Sequence, residues 1–98
     1  MKKRKTPRGF DIIEFKDYYG AACSMQKSSL ATKDAIWLGV DDADPKILAF
    51  HVNGGKPNGW VKYDIPDEVN LTTRMHLTRA QVKELLPYLE KFVEAGEF

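Results

Sequence analysis

Cys23, His51 and His76 are the residue types of a thiol nucleophile and its imidazole base, and such a pair acts only where the ring reaches the sulfur. The surroundings of Cys23 argue against that chemistry. In Ala21-Ala22-Cys23-Ser24-Met25 the thiol alternates with Ala21 and Met25 on an apolar strand face, where free cysteines pack as small hydrophobes. Asp41, Asp42 and Asp44 hint at a calcium loop but lack its fixed glycine and distal bidentate glutamate, so they read as an acidic turn ending a strand. Asn53-Gly54-Gly55-Lys56 has neither the spacing nor the following helix of a phosphate-binding loop and reads as a hairpin loop. Lys27-Ser28-Ser29 could offer a cation and hydroxyls to a phosphate, although such a group is more often a polar strand end. The expectation is a non-enzymatic chain with no catalytic residue, no metal site and no cofactor.

Recognition chemistry is better represented. Arg74-Met75-His76-Leu77 alternates polar and apolar, as a half-buried strand does, and from Thr78 the apolar residues recur at helical spacing. If a helix covers Met75 and Leu77, then Arg74 and His76 point to the opposite face. Ser24, Gln26 and Ser28 fall on the polar side of their own strand. With Trp37 they complete a candidate surface patch of Arg74, His76, Gln26, Ser24, Ser28 and Trp37. Trp60 is a further aromatic candidate for that surface, against the alternative that both tryptophans fill the core.

The elements that must position this patch follow from periodicity. Strands are expected at about 10–18, 21–28, 36–40, 47–52, 61–65 and 73–77, the apolar Ile36-Trp37-Leu38-Gly39-Val40 being central. Tyr18-Tyr19-Gly20 supplies a turn, and 66–72 is irregular. Thr78 with Gln81 forms a capping box, and Leu77 with Val82 is spaced for a hydrophobic staple. Val82, Leu85, Leu86, Leu89, Phe92 and Val93 make one apolar stripe, and Gly96 suits the helix end. Pro87 is expected to bend or split this helix. The fold class is α+β: an antiparallel sheet of five to six strands with one C-terminal α-helix packed on one face.

Length and charge bound the rest. Ninety-eight residues, 43% hydrophobic and 30% charged, suit a single globular domain over 9–98. No apolar run approaches the about 20 residues of a membrane span, and no secretory signal is read. One cysteine excludes an internal disulfide framework. The net charge of +1 is unevenly spread, because Lys2, Lys3, Arg4, Lys5 and Arg8 carry five of fifteen basic side chains. Residues 1–8 therefore read as a flexible basic tail with a weak claim on nucleic acid, and the remaining body is mildly acidic.

Three pieces carry a resemblance: Asp17-Tyr18-Tyr19-Gly20-Ala21-Ala22-Cys23-Ser24-Met25-Gln26-Lys27-Ser28-Ser29, then Ile36-Trp37-Leu38-Gly39, then Arg74-Met75-His76-Leu77-Thr78 with the helix ending Phe92-Val93-Glu94-Ala95-Gly96-Glu97. Together they resemble a family of small proteins encoded by tailed bacteriophages and prophages. That resemblance carries no catalytic residue. It implies an accessory protein in the bacterial host cytoplasm, of a kind that often disables host defence, including CRISPR–Cas. The leading expectation is an inhibitor that binds a host defence protein. The alternatives are an oligomeric binder that sequesters a nucleotide immune signal, and a nucleic-acid-binding accessory protein. A homodimer through the uncovered sheet face or an edge strand is compatible with each.

Overall fold

The computed structural model describes residues 1–53 and 59–98. Where one domain over 9–98 was expected, the chain divides into two units, Met1–Asp41 with Arg74–Phe98, and Asp42–Thr73. The first unit holds a five-stranded antiparallel sheet in the order β1-β2-β3-β4-β7, built from Lys2–Lys5, Asp11–Lys16, Ala22–Lys27, Ala35–Val40 and Arg74–Thr78. The helix α2, Arg79–Ala95, follows β7 without a linker. The second unit contains β5, Lys46–Leu48, paired antiparallel with β6, Trp60–Lys62, and a single helical turn, α1, Phe50–Asn53. The architecture is α+β.

Two expectations about the strands are corrected. The segment 47–52 is not one strand of the main sheet. Strand β5 ends at Leu48, Ala49 is buried with its amide bonded to the Gly59 carbonyl at 2.8 Å, and α1 begins at Phe50. The loop reading of Asn53-Gly54-Gly55-Lys56 falls mainly outside the described residues. The second correction concerns the tail. Residues 2–5 form an edge strand, because Asp11 and Glu14 across the pair supply counter-charges: Lys5 Nζ bonds Asp11 Oδ1 at 2.9 Å, and Arg4 Nε donates to Glu14. The connection is a tight turn in which Gly9 N donates to Thr6 O at 2.8 Å, with Gly9 at φ 87°. A lysine-rich strand is a common way to blunt a sheet edge.

The register sorts side chains onto two faces. Ile13, Phe15, Cys23, Met25, Ile36, Leu38, Val40, Met75 and Leu77 share one; Ile12, Ser24, Gln26, Ala35, Trp37, Arg74 and His76 share the other. The turn between β2 and β3 is held by Asp17, whose Oδ1 accepts the amides of Tyr19 and Ala21, each at 2.9 Å.

The helix begins as its sequence dictates. Thr78 Oγ1 accepts the Gln81 amide at 3.3 Å, and Gln81 Oε1 accepts the Thr78 amide at 2.9 Å. It ends at Gly96, which is left-handed and donates its N–H to Phe92 O at 2.8 Å. Pro87 neither splits nor ends it. Packing departs further from the sequence pattern. Val82 and Leu86 border a cleft with Ile36 and Leu77, yet no residue of α2 is buried, and Met75 remains 54% exposed on the same side. No helix among the described residues is long and apolar enough to cross a membrane.

Asp34 ties the helix start to the sheet. Its carbonyl accepts the Arg79 amide at 3.3 Å, and its carboxylate meets Lys27 Nζ at 2.9 Å and Arg79 Nη1 at 3.3 Å. Lys27, then Arg79, holds this carboxyl below the usual aspartate range. A lowered folded-state pKa means that the contribution to stability is present above the unfolded value and lost as pH falls through the folded one. Asp34→Asn is therefore expected to lower Tm at neutral pH, and thermal melts should show the gap from wild type closing as pH drops below about 3.9.

Candidate functional site

Cross-strand pairing assembles the polar face in rows. Gln26 on β3 lies opposite Trp37 on β4, which lies opposite His76 on β7. In the next row Ser24 is opposite Gly39, and Gly39 is opposite Arg74. Glycine at the middle position puts no side chain between Ser24 and Arg74, so the guanidinium has room to lean across the sheet. Arg74 Nη1 reaches Gln26 Oε1 at 3.3 Å, and its Cζ stands 5.7 Å from the centre of the Trp37 ring. His76 stacks on Trp37 with centroids 3.9 Å apart and planes 7° apart. Its Nε2 is 2.9 Å from the Oγ of Ser28, itself a buried residue.

Five residues of the expected patch thus occupy one face of three adjacent strands, with Ser28 just past the end of β3, and Gln26, Ser28, Trp37, Arg74 and His76 are linked by direct contact. Ser24 differs from the others. At 1% exposure it lies beneath the surface, donating its hydroxyl to Asp41 Oδ1 at 2.6 Å, so it supports the face and does not present itself. Trp60 belongs to β6 in the other unit and is 66% exposed. At that exposure it does not fill a core.

Sequence reasoning missed the rim. The turn between β1 and β2 brings Arg8 and Phe10 to a cleft of about 290 Å³, which Gln26, Ser29 and Trp37 also line. Arg8 Cζ lies 5.8 Å from the Phe10 ring centre. The available signal was Thr6-Pro7-Arg8-Gly9, with proline second and glycine fourth as in a type I turn. The cations of β1 are partly neutralised. Arg4 and Lys5 are engaged with Glu14 and Asp11, and Lys5 holds the Asp11 carboxyl below its usual range. Lys2, Arg4 and Lys16 share the face of Arg74, whereas Lys3 and Lys5 share the apolar one.

Cys23 is buried on the apolar face and His76 lies on the other, so these two do not form a thiol–imidazole pair; His51 belongs to the other unit. Among the described residues no group of three or more His, Cys, Asp or Glu could hold a metal ion. What this surface can do is hold a flat or acidic group against an ordered arginine–aromatic cluster. Comparison with protein-family models, curated proteins and solved structures returns no match for the chain.

Asp41→Ala strands the buried Ser24 hydroxyl. The expected loss is about 1–3 kcal/mol of stability, read as a lower urea midpoint at unchanged slope.

Proposed function

We propose that this chain is a non-enzymatic binding protein. In this reading it docks an acidic protein surface on the face of Gln26, Ser28, Trp37, Arg74 and His76. The observation that carries the reading is the Trp37 ring held by His76 stacked at 3.9 Å and by Arg74 at 5.7 Å. Tryptophan and arginine are the residues most enriched among interface hot spots, and side chains already fixed in the free protein lose little entropy on docking. Lys2, Lys16 and Arg74 on that face favour an acidic partner. The likeness to small phage proteins suggests the identity of that partner: a host defence component such as a CRISPR–Cas effector, inhibited in the bacterial cytoplasm.

A plaquing assay tests this reading. Expressed in cells carrying an active CRISPR–Cas system, the chain is expected to restore plaques of a targeted phage. Arg74→Glu, with its fold verified by circular dichroism, is expected to abolish the rescue. A hot spot of about 2 kcal/mol corresponds to roughly 30-fold in Kd. Failure of the wild-type chain to rescue plaquing against any CRISPR–Cas type tested rejects the assignment.

The cleft of Arg8, Phe10 and Trp37 favours a second reading, capture of a nucleotide signal, since it pairs a cation with aromatic walls. Its competitor is the imidazole already stacked on the indole. A saturating cyclic dinucleotide or nucleoside triphosphate, at about 100 times its Kd, would raise Tm by about 10 °C or more. No shift with any nucleotide at millimolar concentration excludes this reading.

A further inference from the structure

The helix α2 bears an apolar stripe that its own chain leaves uncovered. Leu86 and Leu89 are each 48% exposed, Phe92 is 54% exposed and Val93 is 84% exposed. Beside the helix start is an open cleft of about 450 Å³ walled by Ile36, Leu77, Val82 and Leu86, with Arg79 and Lys83 on its rim.

The charges of α2 run against its own dipole. Its first turn has no acidic residue and its last turn no basic one, the reverse of what the partial charges at helix ends favour. Arg79, Lys83, Glu90 and Glu94 follow at intervals of four, seven and four along one flank of the stripe. Those intervals read the same in reverse, with the sign inverted. An identical helix laid antiparallel about a two-fold axis near Leu86 sets Arg79 against Glu94 and Lys83 against Glu90, in both directions at once.

From these features we infer that α2 is a homodimerisation element. Two copies pack their stripes antiparallel, and Leu89, Phe92 and Val93 of each enter the cleft beside Val82 and Leu86 of the other. Such a contact is isologous, as a closed two-fold dimer requires. The same alignment that matches the charges places Phe92 of one copy beside Val82 of the other. A 17-residue helix is about 25 Å long, and its stripe with the adjoining apolar sheet face offers a footprint of roughly 600 Å² per copy before side-chain relief. That approaches the about 800 Å² per partner of a stable interface. This inference is independent of what the polar face binds, because the two surfaces lie on opposite sides of the sheet.

Sedimentation equilibrium and native mass spectrometry of the full chain provide the test. Wild type is expected at twice 11.2 kDa. Lys83→Glu alone and Glu90→Lys alone are each expected to weaken self-association about tenfold, because each turns two attractive pairs repulsive. Mixing the two variants is expected to give a heterodimer, since the altered charges then complement each other. Rescue in the mixture separates pairing from misfolding. A monomeric wild type at about 100 μM, or variants that self-associate as wild type does, overturns the inference.

Discussion

The pairing of β4 with β7 governs the rest of the structure. Ile36 stands opposite Leu77, Trp37 opposite His76 and Leu38 opposite Met75, so one register decides which side chains meet on each face. A slip of one residue would exchange the faces, setting the arginine and histidine among the methionines and leucines and turning the latter to the polar side. The register is fixed at one end and in the middle. Asp34 and Thr78 hold the strand termini to the start of α2, and Trp37 with His76 locks the middle by stacking. Neither surface exists unless this ladder forms correctly.

Much of this frame was legible in the residues. The alternation in Arg74-Met75-His76-Leu77 assigned the two faces of its own strand, whereas the co-facing of Gln26 and Trp37 with His76 was a candidate reading that depends on the register between strands. Thr78, Gln81 and Gly96 announced both ends of the helix, because capping is local chemistry that sequence spacing reports directly. β1 was not legible. Lys2–Lys5 has no apolar residue, and its stability as a strand rests on carboxylates in β2 that become neighbours only once the register exists. Ile47–Val52 misled for the opposite reason. Its apolar run satisfies a strand as readily as a turn of helix, and the burial of Ala49 decides between them.

The stripe of α2 shows a deeper limit of pattern reading. Apolar residues at intervals of three and four state that a helix needs a covering surface. They do not state which molecule provides it. A sheet in the same chain and an equivalent helix in a neighbour ask for the same spacing. In the dimer inferred above, the direction of the charge gradient along the helix is what favours the second case. It is informative here because it contradicts the arrangement that would serve a helix standing alone.

The cationic run in β1 has a consequence for how crowded ribosomal products of this chain behave. An outer strand with unused hydrogen-bonding groups is a template on which other chains can stack, about 4.8 Å apart. A second copy adding at Lys2–Lys5 would bring cation against cation, the nearest carboxylates, Asp11 and Glu14 of β2, being already engaged with Lys5 and Arg4. Growth of a fibre from that margin is therefore electrostatically disfavoured.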